Sequence, residues 1–175
     1  MKKLLLAACV LLPATAHADG PDVFGGYAFS RRDGDSYHGV RAGLDFGLTR
    51  TLGLEVAAAA QRTPSYGGHY TDIGLMAGPR FHGSGRRAPF LALTAGFVRT
   101  SQDVEGDDFF FSDVYTEPTA AVDVGVDLTV GERWAVRIQA GIVGTRDYDQ
   151  QGDFVEKNWQ ANPRGSAAIV WRPGR

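Results

Sequence analysis

The chain has 175 residues, 43% of them hydrophobic and 22% charged, with a net charge of −2 at neutral pH. So small an acidic excess leaves no electrostatic footprint for nucleic acid, and the length suits one domain of ordinary size. The single cysteine, Cys9, lies in the apolar leader, so disulfides cannot staple the remainder and a sheet or core must supply the stability.

The leader comprises Lys2-Lys3, the apolar run Leu4 to Leu12, Pro13 and then Ala16-His17-Ala18. It reads as a secretory signal, residues 1–18, leaving residues 19–175 as one exported domain with a net charge of −4. Leu6-Ala7-Ala8-Cys9 also fits a lipobox, but the apolar run continues past the cysteine to the better cleavage site. No later stretch of eighteen apolar residues exists, which excludes a membrane-spanning helix. A barrel, which crosses with strands, is not excluded.

Eight segments of alternating polarity follow, at about 22–31, 37–49, 52–62, 70–82, 89–100, 118–130, 133–146 and 160–172. Most are long enough to cross a bilayer at a tilt, which takes about 9 to 11 residues. In the second, Val40, Ala42, Leu44, Phe46 and Leu48 alternate with Arg41, Gly43, Asp45 and Gly47. The third sets Leu54, Val56, Ala58 and Ala60 against Glu55, Ala57, Ala59 and Gln61. The fourth sets Ile73, Leu75, Ala77 and Phe81 against Asp72, Gly74, Met76, Gly78 and Arg80. The sixth sets Ala120, Val122, Val124, Val126, Leu128 and Val130 against Ala121, Asp123, Gly125, Asp127 and Thr129. After Gly131-Glu132, the seventh places Trp134, Val136, Ile138, Ala140 and Ile142 on one face and Ala135, Arg137, Gln139 and Gly141 on the other.

Connections near Arg50, Gly83 to Ala88 and Gly131-Glu132 are short. Those at about 101–117 and 147–159 are much longer, and Thr63 to His69 is intermediate. The first, Arg32 to Ser36, is short and departs from this trend. Short turns at one end and long loops at the other predict a meander through a membrane, with its apolar faces turned to lipid and its polar faces to the lumen. The glycine- and alanine-rich polar faces suit the narrow interior of an eight-strand barrel. Phe46, Phe81, Trp134 and Trp171 near the turns, with Phe29 and Phe97 near the loops, are placed as two interfacial girdles.

With GLTRTLGLEVAAA (47–59), DIGLMAGPRF (72–81), APFLALTAGFVR (88–99) and RGSAAIVWR (164–172), the chain resembles the eight-stranded outer-membrane β-barrel superfamily of OmpA-like and OmpX-like proteins. The resemblance spans nearly the whole mature chain and consists of patterns rather than signatures. It implies an all-β, antiparallel up-and-down barrel in the Gram-negative outer membrane, with both termini periplasmic. Members often end in an aromatic residue. Here Pro173 takes that position, after Trp171, and the peptidoglycan-binding domain of larger relatives is not expected.

The inward list holds Asp45, Glu55, Asp72, Asp123 and Asp127 against Arg41, Arg80, Arg137, Arg164 and Arg172. This balance predicts a structural network of ion pairs across the lumen, with a narrow charge-lined conduit as the alternative. His82-Gly83-Ser84 resembles the His-x-Ser arrangement of lipid A deacylases but falls in a turn at the periplasmic end. His38 and His69 belong to the opposite end, near Ser36 and Asp33 or Asp35. No enzyme, cofactor or metal site is expected. The loop GDDFFFSDVYTEP, with Asp107, Asp108, Phe109, Phe110, Phe111, Asp113 and Tyr115, is the candidate extracellular interaction surface. Expected partners are outer-membrane lipid, lipopolysaccharide and a protein met through the outer loops, the barrel itself being a monomer. A structural or adhesion-like role leads, with a small-solute channel second and an outer-leaflet lipid hydrolase third.

Overall fold

The computed structural model describes residues 20–32, 34–65, 68–104, 112–151 and 154–174, so the leader lies outside the described residues. Eight strands run in order as β1 (Asp22–Arg32), β2 (Asp35–Gly47), β3 (Leu52–Ser65), β4 (Gly68–His82), β5 (Arg87–Val104), β6 (Ser112–Thr129), β7 (Trp134–Gln151) and β8 (Phe154–Trp171). Each pairs antiparallel with the next, and β8 pairs with β1 to close the barrel. Closure gives every central strand two hydrogen-bonded neighbours, the condition for crossing hydrocarbon without orphaned backbone groups. An even strand number puts Asp22 and Trp171 at the same end, together with the turns at 48–51, 83–86 and 130–133.

Side-chain parity follows the alternation in the sequence. Val40, Leu44, Ile73, Leu75, Val122, Val124, Ile138 and Ile142 stand exposed on the outside. Arg41, Glu55, Met76, Arg80, Asp123, Asp127, Arg137 and Gln139 are buried inside. A water-soluble sheet would invert this arrangement, so lipid is the solvent of the outer face. Near the turn end Trp134 and Trp171 are cross-strand partners on that face, with Phe81 at the same end. Phe97 and Trp159 are exposed aromatics toward the other end.

The far end differs from expectation. The long connections read from the sequence are mostly strand: β5 and β6 pair out to Asp103–Ser112, and β7 and β8 pair out to Gln151–Phe154. Apolar alternation ends where the bilayer ends, whereas the hydrogen-bond ladder of a hairpin needs no lipid and continues. Each of these four strands has 18 residues, against 11 for β1 and 13 for β2. At about 3.4 Å per residue and a tilt near 40°, such a strand rises about 45 Å, well beyond a hydrocarbon core of about 30 Å. One wall of the barrel therefore stands taller than the other. The β1–β2 ladder ends at Arg32 opposite Asp35, and Gly34 adopts a φ of 91°.

Candidate functional site

The lumen is organised around Arg137, whose side chain is 0% exposed. Its Nε donates to Asp127 Oδ1 at 2.8 Å, and its Nη2 donates to Asp45 Oδ2 at 2.6 Å and to Asp127 Oδ2 at 3.1 Å. Arg80 binds the same two acids from β4, donating to Asp45 and, at 2.9 Å, to Asp127. Arg172 reaches Asp127 from the end of β8 at 3.3 Å and also donates to Asp22 at 3.2 Å. Three carboxylates (Asp22, Asp45 and Asp127) and three guanidiniums (Arg80, Arg137 and Arg172) thus form one cluster near the turn end.

Farther along the axis, Arg41 donates to Glu55 and lies 3.7 Å from Asp123, to which Arg164 donates through Nε at 2.8 Å and through Nη2. Nη1 of Arg137 faces Glu55 Oε2 at 3.9 Å, an electrostatic contact without a hydrogen bond that links the two clusters. Nine of the ten charged residues singled out in the sequence are therefore joined. Asp72 stands apart, accepting a hydroxyl hydrogen bond from Thr100 at 2.7 Å instead of a guanidinium, because it lies closer to the far end than the arginines of the two clusters.

Aromatic rings complete the obstruction. The Arg137 guanidinium lies 4.5 Å from the centroid of Phe24 and 5.3 Å from that of Phe90, and Arg80 lies 3.9 Å from Phe90. Such stacking suits the weakly hydrated, planar guanidinium. Two glycines leave room for the rings and for the neighbouring backbone: a Cβ on Gly43 would fall 2.6 Å from the Phe24 ring and 2.3 Å from the Val56 carbonyl oxygen, and one on Gly125 would fall 2.5 Å from the Phe90 ring and 2.6 Å from the Ile138 carbonyl oxygen. Parity alone could have flagged Phe24 and Phe90, since both have the polar-face register of their strands.

Cavities lie on either side of this layer. Toward the far end, a chamber of about 70 Å³ is lined by Arg41, Gln61, Asp72, Met76, Asn162 and Arg164. At the turn end, a vestibule of about 370 Å³ is lined by Asp22, Asp45, Arg80, His82, Asp127 and Arg172. Phe24, Glu55, Phe90 and Arg137 line neither and separate the two. At the far side of the chamber, which Arg32 helps line, Arg32 forms a further ion pair with Glu117 at 3.6 Å, near buried Tyr37, Thr63 and Thr100. Sequence reasoning missed Asp22 and Arg32 because they are the end residues of β1, and Glu117 because it lies in β6 just before the alternating segment that begins at 118.

The remaining candidates do not form a constellation. Nδ1 of His82 lies 3.4 Å from the carbonyl of Gly83, and Ser84 is exposed in the β4–β5 turn. His38 faces outward, hydrogen-bonded to the Tyr27 hydroxyl, and His69 is on β4 opposite Asp103. Asp107, Asp108, Phe109, Phe110 and Phe111 lie outside the described residues. Asp113 and Tyr115, assigned to the same loop from sequence, are instead strand residues on β6, opposite Gln102 and Thr100, because the β5–β6 ladder continues past the bilayer. No group of three metal-ligating side chains occurs among the described residues.

A closed eight-strand barrel with a lipid-facing apolar exterior and a charged, side-chain-filled interior is a transmembrane barrel of the bacterial outer-membrane kind. The chain belongs to the outer membrane protein beta-barrel domain family, whose model matches residues 4–162. Among solved structures it is similar to Neisserial surface protein A, at 16% identity and a TM-score of 0.62, covering 87% of this chain and 95% of that one. It is also similar to Ail, the attachment invasion locus protein of Yersinia pestis, at 17% identity and 0.56, covering 88% and 99%. OprG of Pseudomonas aeruginosa shares the fold at 11% identity and 0.58, covering 87% and 96%. No curated protein sequence matches the chain.

Proposed function

We propose that this protein is a non-conducting outer-membrane barrel whose taller wall presents a surface for contact outside the cell, with the turn end and both termini facing the periplasm. The observation that carries the closed lumen is the Arg137 layer, in which a fully buried guanidinium is held by Asp45 and Asp127 and stacked on Phe24 and Phe90. An eight-strand interior is only about wide enough for its side chains, and these residues occupy it. The raised β5–β8 hairpins support the contact role, since strand beyond the bilayer adds nothing to spanning it. The barrel fold shared with the attachment invasion locus protein of Yersinia pestis is consistent with that role. An N-terminal signal ending at Ala18 would export the chain.

Planar-bilayer recording tests the plug. Purified wild-type protein should give no reproducible single-channel steps, and steady steps would replace this reading with the small-solute channel. Surface contact is tested separately, by comparing adhesion of cells expressing the intact protein with cells in which Glu105–Phe111 is replaced by Gly-Asn. Unchanged adhesion by a correctly assembled variant would remove this connection from the role.

A further inference from the structure

Every aspartate and glutamate with a described side chain in the strands has lumen-facing parity, whereas the outer face near the far end carries Arg31, Arg62 and Arg99. All three are exposed, and none takes part in a salt bridge among the described residues. The interior arginines, by contrast, are each matched to a carboxylate.

The three arginines stand on alternate strands, β1, β3 and β5. Arg31 pairs with Ser36, and His38, two residues along β2, pairs with Arg62. Arg62 pairs with Thr71, which pairs with Ser101, and Arg99 lies two residues along β5. Each step from one arginine to the next therefore crosses two strands and slips back two residues. With strands about 4.8 Å apart and a rise of about 3.4 Å per residue, the Cα atoms are about 12 Å apart along the wall. The slip offsets the climb that strand tilt imposes, so the three lie at nearly one depth, two residues beyond exposed Phe97 on β5 and beside the Tyr27–His38–Phe29 cluster. Aromatics of this kind mark the headgroup boundary.

The geometry points to this row as a binding site for a glycolipid of the outer leaflet whose sugar headgroup carries phosphates, that is, lipopolysaccharide. A guanidinium matches phosphate in charge and in its forked donor geometry. Unpaired charge at a lipid boundary needs an anionic partner, and three cations at one depth fit a rigid sugar bearing more than one phosphate better than a lone phosphodiester. The adjoining apolar wall would take the acyl chains. The choice of leaflet rests on the orientation proposed above, but the binding chemistry does not.

The test is binding of lipid A to the protein extracted in a zwitterionic detergent, so that neither orientation nor conductance enters. Probes are bisphosphorylated lipid A, its phosphate-free form and phosphatidylglycerol, at equal mole fraction in the micelle. Bisphosphorylated lipid A should bind most tightly, weakening about tenfold for each of Arg62→Gln and Arg99→Gln, as loss of a charge-assisted hydrogen bond implies. Arg62→Lys should retain most of the binding. Equal binding of the phosphate-free form, equal binding of phosphatidylglycerol, or an undiminished Arg31→Gln/Arg62→Gln/Arg99→Gln variant would each overturn the site. Should the triple variant fail to fold, as judged by circular dichroism, the single variants and the lysine variant still decide the matter. Single-channel steps or unchanged adhesion, which would overturn the proposed function, would leave this binding result standing.

Discussion

Replacing Arg137 with alanine removes the side chain that joins both lumen clusters. Three hydrogen bonds to carboxylates are lost, along with contact to two aromatic rings. Breaking a buried ion pair by deleting one partner costs about 3 to 5 kcal/mol, mainly because the other charge is left uncompensated. Here the compensation is partial: Asp127 keeps Arg80 and Arg172, and Asp45 keeps Arg80. Both acids also border the turn-end vestibule, through which water can reach them. The expected loss is therefore near the lower limit, about 3 kcal/mol, or roughly two decades in the unfolding equilibrium constant. Urea unfolding in lipid vesicles, followed by the fluorescence of Trp134, Trp159 and Trp171, measures it. Arg137→Met separates charge from packing, since it keeps an unbranched stem against Phe24 and Phe90. If the alanine variant loses less than about 0.5 kcal/mol, or if methionine restores wild-type stability, the electrostatic account of the layer is wrong.

Val124, 57% exposed on the lipid face, should tolerate leucine, whereas Val124→Arg should cost about 2 to 4 kcal/mol in the same assay. Equal stability of the two variants would refute the facing assignment. Gly125→Ala places a methyl against the Phe90 ring and should destabilise by about 1 to 3 kcal/mol, with Phe90→Leu in the same chain recovering part of the loss. No recovery would place the conflict at the Ile138 carbonyl oxygen, 2.6 Å from the same methyl, rather than at the ring. Removing the obstruction with Phe24→Ala, Phe90→Ala and Arg137→Ala together should connect the chamber to the vestibule and produce conductance where the wild type gives none. A silent but folded triple variant would place the barrier elsewhere, with Arg32 and Glu117 at the far mouth as the next candidates.

The lipid-facing and lumen-facing sets were legible because period-two patterning is strict wherever two solvents meet, as at Val122, Asp123 and Val124. Identities of the inward charges could be read, but their partners could not. Arg137 meets Asp45 across 92 positions of sequence, and only the closed circumference brings those two strands to opposite walls of one narrow interior. Asp72 shows the same limit from the other side, since parity placed it correctly while its neighbour proved to be Thr100. The far end was misread for a different reason. Residues 101–104 and 112–117 carry polar groups on both faces, so polarity signalled a loop where only the bilayer had ended. Ser112-Asp113-Val114-Tyr115-Thr116 does contain strand-favouring residues, a signal outweighed by the charges around it.

The join between β1 and β8 runs from Val23–Trp171 to Ser30–Arg164, shorter than any other in the wall, although β8 itself continues to Phe154. It is also the join between the most distant parts of the chain, whose loop-closure entropy makes it the natural last step of assembly. Arg172, just past the last strand, grips Asp22 at the start of the first while also holding Thr129 and Asp127. A single side chain thus fastens the two ends of the cylinder to each other and to its filling. If the lumen is closed as proposed, parting of the seam at the turn end would also loosen its filling through Arg172, and lateral opening would be coupled to loss of closure.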